Sequence, residues 1–256
     1  MTLIDSIVLG VVEGLTEFLP VSSTAHLVLV SSLLKLEEND FLNAFNIIIQ
    51  IAPIFSVLLI YFERLFQTWT LWFKLILAFI PTGAVGLFFH KQIEALFTPD
   101  IAVMLMVLTG VGFIAIEWLY KEKEHHTSDL DAVTYPQAFW VGISQVFALV
   151  PGISRSGSTI LGGMLAGMKR ETAMGFSFLL AVPTMAAASG YALYKEFTSL
   201  DGNGTLLLGV GFAVSFVIGY LAIKGFLAIV SRYSFVPFGW YLIATGLVFG
   251  IFGIEA

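Results

Sequence analysis

Long apolar runs make up most of the chain, and two stretches interrupt that pattern with polar residues. The continuous runs are Ile47–Phe62, Leu71–Phe89, Ile101–Tyr120, Met174–Tyr194, Leu206–Val230 and Phe235–Ile254. Each approaches or exceeds the ~20 residues a helix needs to cross a bilayer. None alternates with a two-residue period, which excludes a transmembrane β-barrel. The two interrupted stretches, roughly 4–34 and 136–168, break at Pro20 and at Pro151-Gly152. Their arms are too short to cross the hydrocarbon, so each is predicted to be a re-entrant helix–loop–helix that enters and leaves on one side. Non-helical backbone at that depth is tolerated only when it is buried in protein or lines a wet cavity. The expectation is an all-α polytopic membrane protein with six transmembrane helices and two re-entrant segments.

The order of these elements repeats. "GVVEGLTEFLPVSST" (10–24) parallels "GISQVFALVPGISRSGST" (142–159), "AFNIIIQIAPIFSVLLIY" (44–61) parallels "AMGFSFLLAVPTMAAASGY" (173–191), and "VLTGVGF" (107–113) parallels "IATGLVF" (243–249). The three matches are in order and nearly constant in offset. They predict one membrane domain over 1–256, built from a repeat at about 1–120, a connector at about 121–135 and a second repeat at about 136–256. Three crossings per repeat is an odd number, so the second must be inverted relative to the first. In that plan, broken helices meet near the midplane to build a site.

Composition sharpens this picture. The chain is 58% hydrophobic and 12% charged, with a mean hydropathy of +0.92, far from a soluble domain with about a quarter charged residues. The absence of cysteine removes disulfides and thiolate metal sites. No Lys or Arg precedes Lys35, so the start lacks the basic region of a cleaved signal peptide. On the predicted topology Arg64, Lys74, Lys121, Lys123, Lys169, Arg170, Lys224 and Arg232 share one side, against Lys35, Lys91 and Lys195 on the other. The positive-inside rule makes the richer side cytoplasmic and puts both termini outside. The expected surroundings are membrane lipids, with no nucleic-acid partner and a homodimer left open.

The candidate chemistry lies in the interrupted stretches. Glu13 and Glu17 are one turn apart and share a helix face, where an ionised carboxylate is costly unless it pairs, binds a cation or does chemistry. Pairing across helices is the bland alternative. Ser22, Ser23 and Thr24 follow Pro20, and His26 lies within one helical turn of either serine. A hydroxyl beside a general base is the arrangement of an activated nucleophile, although Ser22 or Ser23 capping the second arm accounts for part of it. In the second stretch, "PGISRSGST" sets Arg155 among Ser154, Ser156 and Thr159 on a Gly-flanked turn that opens a helix. Such a helix start cradles anions, and the guanidinium clamps phosphate oxygens. A structural role as counter-ion to Glu13 or Glu17 is compatible with this. Acids facing a phosphate imply a bridging divalent cation, Mg²⁺ or Ca²⁺ in preference to zinc because the ligands are oxygens. Glu13 and Glu17 are its candidate ligands. Gln50 and Gln145 lie in apolar segments and either line the cavity or bond neighbouring helices.

"EGLTEFLPVSSTAHL" together with "PGISRSGST" resembles the two signature motifs of the undecaprenyl-diphosphate phosphatase family, the bacitracin-resistance proteins. The likeness extends over essentially the whole chain. It implies a polyprenyl diphosphate substrate, hydrolysis of undecaprenyl diphosphate to undecaprenyl phosphate and inorganic phosphate, and recycling of the lipid carrier for peptidoglycan synthesis at the bacterial inner membrane. It also implies an outward-opening site, with Glu13 and Glu17 as the acid pair, His26 as the histidine, Arg155 as the phosphate-binding arginine and Ser23 as the candidate nucleophile beside Ser22 and Thr24. Ala25 departs from the glycine usual before that histidine, which removes no chemical group. Two routes fit the sequence equally: His26 deprotonates Ser23 for covalent attack, or water attacks with His26 or a glutamate as base. The rival of another class is a lipid flippase, which shares the inverted-repeat plan.

Overall fold

Both interrupted stretches fold as helix–break–helix, and helices account for nearly all the regular structure. The computed structural model describes residues 1–37, 39–96, 98–196, 202–230 and 234–252. Helix α1 (Leu3–Thr16) begins at a capping box in which the Thr2 and Asp5 side chains each bond the other's backbone N–H. It stops ahead of Pro20, which has no N–H to donate. Ser22, in the left-handed region at φ 67°, then starts α2 (Ser23–Leu33). Ser22 makes no side-chain capping bond, so its hydroxyl does not accept from the first turn of α2.

The first long apolar segment is α3 (Asp40–Ile49) and α4 (Ala52–Ile60), a span of membrane length jogged at Gln50-Ile51 just before Pro53. It starts earlier than the run from Ile47 suggested. Asn39 caps α3, and Leu42 and Phe45 already pack inward with Leu9 and Leu27. Short α5 (Phe62–Gln67) leads to α6 (Trp69–Phe88), short α7 (His90–Glu94) and α8 (Pro99–Leu119). After the polar connector, α9 (Tyr135–Val146) opens on a second capping box, Thr134 with Gln137. It tightens into a 3₁₀ turn at Phe147–Leu149 and ends at Pro151-Gly152. Then come α10 (Arg155–Leu165), α11 (Arg170–Glu196), α12 (Gly202–Val230) and α13 (Val236–Phe252). Among the described residues five helices are long and apolar enough to cross a membrane. The sixth expected span, α13, has 17 described helical residues and falls short of that length.

The helices pair across the two halves of the chain. α1 packs along α12, α9 along α6, and α8 along α13, while α11 sits centrally against α3, α4, α6 and α10. Small residues permit these approaches, as they do between membrane helices generally. A Cβ on Gly10 would lie 2.6 Å from the Gly211 carbonyl oxygen, and one on Gly110 2.5 Å from that of Gly239. A Cβ on Gly142 would collide with the Ala78 carbonyl. Buried serines add hydrogen bonds, from Ser6 Oγ to Leu207 O at 2.6 Å and from Ser56 Oγ to Phe216 O at 2.7 Å.

Charged groups gather at one end. Arg64 forks onto Asp129 and Asp131 at 2.9 and 3.0 Å, and Lys74 Nζ donates to Asp131 O. The hydrogen bonds from Arg64 hold the Asp129 carboxyl below the usual carboxylate range. Arg170 pairs with Glu117 at 2.9 Å, and Glu117 also accepts the N–H of Phe235. The connector pairs with the loop before α11 through Thr127 and the backbone of Gly167 and Lys169. Arg64, Lys74, Lys169 and Arg170 thus share one end, as the charge pattern required. The placements expected for the side chains of Lys195 and Arg232, and for the run's end at Ile254, lie outside the described residues.

Candidate active site

The two breaks meet. Ser156 Oγ, in the first turn of α10, donates to Leu19 O in the first break at 2.9 Å. The two interrupted stretches therefore touch at their tips, and a cavity of about 200 Å³ opens beside the contact.

Glu17 stands at the centre. It follows the last turn of α1 and is 6% exposed. Arg155, the first residue of α10, donates from Nη2 to Glu17 Oε1 at 2.7 Å and from Nη1 to Ser177 O at 3.2 Å. Its guanidinium lies 5.5 Å from the centroid of the Phe18 ring, and its buried Nε–H has no partner. Ser23 Oγ donates to Glu17 Oε2 at 2.6 Å. One carboxylate thus holds the hydroxyl of the first break and the guanidinium of the second. Ser23 and Glu17 are six residues apart, a separation no continuous helix would bring into contact. The left-handed Ser22 makes it possible.

This revises the expected serine–histidine pair. His26 bonds Ser22 O through Nδ1 at 2.8 Å and the Tyr241 hydroxyl through Nε2 at 2.6 Å, so both ring nitrogens are engaged away from Ser23. The group placed to take the Ser23 proton is Glu17. Ser22, Ser23, Thr24, Glu17, Ser154 and Arg155 line the cavity. Ser156 and Thr159 are not part of that lining. The Ser156 hydroxyl is committed to Leu19 O, and the Thr159 hydroxyl donates to Arg155 O at 2.9 Å and bonds Ser177 Oγ at 2.6 Å. Both hydroxyls are spent on building the tip. Ser154 caps α10 by accepting from Gly157 N, which presents the anion-favouring end of that helix to the cavity.

Polar residues from elsewhere complete the lining: Gln50 at the jog of α3–α4, Gln145, Thr82 and Thr184. Gln145 Nε2 donates to Thr82 Oγ1 at 3.1 Å, and Thr184 Oγ1 donates to Gln145 Oε1 at 3.3 Å. The amides drew notice in the sequence as polar groups in apolar runs. The two threonines carried no such signal, because a threonine bonding its own helix is ordinary in a membrane span. Ala148, Leu149, Ile153, Met185 and Ala188 give the cavity an apolar side.

Glu13 lies one turn before Glu17, fully buried, with neither carboxylate oxygen hydrogen-bonded. A buried carboxyl without a partner is expensive, so it needs a counter-charge or a shared proton. Among the described residues no three or more acidic or imidazole side chains cluster as a complete metal site. A hard cation takes carboxylate, phosphate and water oxygens; of the two acids, Glu17 lines the cavity and Glu13 does not.

Comparison with known proteins matches this architecture to one family. The family model described as Bacitracin resistance protein BacA matches residues 6–248. Proteins named undecaprenyl-diphosphatase are similar over nearly the full length. One from Wolinella succinogenes is 48% identical over 249 residues, covering 97% of each chain. One from Persephonella marina is 49% identical over 252 residues, covering 98% of this chain and 99% of its own. One from Methanococcus aeolicus is 45% identical over 255 residues, covering both chains completely.

Proposed function

Because the chain belongs to the bacitracin resistance protein family, we propose that it hydrolyses undecaprenyl diphosphate to undecaprenyl phosphate and inorganic phosphate. The observation that carries this reading is the Ser23–Glu17–Arg155 contact where the two breaks meet. A serine donating to a carboxylate, with a guanidinium and a helix N-terminus alongside, is a nucleophile facing an anion cradle.

The terminal phosphate enters the cavity against Arg155 and Ser154, and the isoprenoid leaves over Ala148, Leu149 and Met185. As Ser23 Oγ attacks the terminal phosphorus, its proton passes to Glu17 Oε2. The bond from that phosphorus to the bridging oxygen breaks, and lipid monophosphate departs with the electron pair. Glu17 passes that proton to the departing phosphate oxygen, then accepts a proton from the water that attacks the phosphoserine and returns it to Ser23 Oγ as inorganic phosphate leaves. A divalent cation, Mg²⁺ or Ca²⁺, held by Glu17 and Glu13 would neutralise charge on the diphosphate. The flippase reading leaves the Ser23–Glu17 contact without a purpose.

The membrane arrangement belongs to the same reading. The break-to-break contact and the reciprocal pairing of α1 with α12 and α9 with α6 support two inverted repeats, each a re-entrant hairpin plus three spans, with α13 the shortest. The end carrying Arg64 and Arg170 faces the cytoplasm of a bacterial inner membrane, and both termini face outward.

The test is phosphate release from purified protein in detergent, supplied with a long-chain polyprenyl diphosphate, with and without EDTA. Release that EDTA abolishes and Mg²⁺ or Ca²⁺ restores supports both the activity and the cation. No release with any metal overturns the reading.

A further inference from the structure

Tyr241 lies on α13, a helix whose main neighbour is α8, and no motif marks it. Yet its hydroxyl is 2.6 Å from His26 Nε2, and the two rings are stacked, 9° from parallel with centroids 5.6 Å apart. The other ring nitrogen fixes the direction of this bond. His26 Nδ1 faces the Ser22 carbonyl oxygen at 2.8 Å. A carbonyl can only accept, so Nδ1 carries the proton. In the neutral imidazole Nε2 is then the acceptor, and Tyr241 is the donor.

The bond to Ser22 O joins the imidazole to the residue with φ 67°, a conformation that costs a non-glycine residue about 1 kcal/mol or more. That residue is what lets Ser23 reach Glu17. The hydrogen bonds therefore run from Tyr241 to His26, from His26 to Ser22 O, from Ser23 to Glu17 and from Arg155 to Glu17. His26 is not among the residues lining the cavity, so it acts on the reaction through this connection.

We propose that Tyr241 is a positioning residue for the phosphatase reaction: acting through His26, it holds the Ser22 turn so that Ser23 stays on Glu17. The inference rests on the phosphatase reading for its effect on turnover, but the link itself has a separate readout.

Tyr241→Phe keeps the stacked ring and removes the hydroxyl. The expected result is a kcat roughly five- to twentyfold lower, the scale of one lost part-buried hydrogen bond, with KM for polyprenyl diphosphate and Tm unchanged. In a His26→Ala background the same substitution should have no further effect, because the path it acts through is gone. Wild-type kcat in Tyr241→Phe, or losses that multiply in the double variant, would overturn the proposal. Nitrogen-15 histidine spectra of the detergent-solubilised protein judge the link without activity. His26 should show a protonated Nδ1 and a bare Nε2 whose resonance moves in Tyr241→Phe, and an unmoved resonance breaks the link. If wild-type protein releases no phosphate, the phosphatase reading fails while the spectra still decide whether Tyr241 holds His26.

Discussion

The two breaks are alike in sequence pattern but not in chemistry. The first, around Pro20, brings the acids and the serine, and its helix starts at an uncapped residue in the left-handed region. The second, around Pro151-Gly152, brings the cation, and its helix starts at Ser154 with an ordinary side-chain cap. One is strained and the other relaxed. Strained backbone persists where the surroundings hold it, and here the holding groups are His26 and, through it, Tyr241. The second break needs no such support because its task is electrostatic: a helix start and a guanidinium suffice. On the proposed mechanism the two hairpins divide the work, one carrying the reacting hydroxyl and the other the charge that receives phosphate.

Substitutions can test that division. The largest effect is expected at Ser23. Ser23→Ala should cut kcat by about a thousandfold or more, as loss of a nucleophile does, and should abolish phosphoserine trapped by acid quench. Near-normal turnover in Ser23→Ala would transfer the attack to water with Glu17 as base. Next are the two partners of the ion pair. Glu17→Gln and Arg155→Ala should each lose about 10²–10³ in kcat/KM, and the double variant should be little worse than either, since the two act as one unit. Multiplying losses would mean that the breaks work independently. The capping contrast predicts smaller changes in stability. Ser154→Ala should cost about 1 kcal/mol by denaturant titration, whereas Ser22→Ala removes no cap and should leave the midpoint in place. The smallest effect concerns the charged end. Asp129 has its pKa depressed by Arg64, so its contribution is full above the unfolded-state pKa and is lost as pH falls through the folded value. Asp129→Asn should therefore flatten the acid side of a Tm-versus-pH curve and leave kcat unchanged. At an exposed pair the change will be small and sensitive to salt.

These same residues show what could be read from the chain. The breaks were legible because proline and glycine act locally, and the spans because apolar length is a property of contiguous residues. Glu13 and Glu17 were legible as a pair because helical spacing is fixed. The partner of Ser23 was not, because reaching Glu17 requires a left-handed residue, and serine does not announce one. His26 was visible as polarity out of place, yet its partner Tyr241 is 215 residues away, and only the packed fold chooses among distant tyrosines. Thr82 and Thr184 were hidden for another reason: a threonine that bonds its own helix and one that also faces a cavity are identical in sequence. The early start of α3 comes from the Asn39 cap and an amphipathic turn, whose polar positions lie outside any unbroken apolar run.

The exchange of partners between the halves also bears on how the chain is made. Ser6 and Gly10 on α1 find their seat on α12, at Leu207 and Gly211, about 200 residues later. At roughly 5–20 residues per second, the first hairpin waits some tens of seconds in the membrane before its clamp is synthesised. The same holds in reverse only briefly, since α9 meets an α6 already in place. Assembly is therefore directional: a truncated first half would leave Glu13 and Glu17 in a hairpin without its α12 seat, while the second half arrives to a partner ready to receive it.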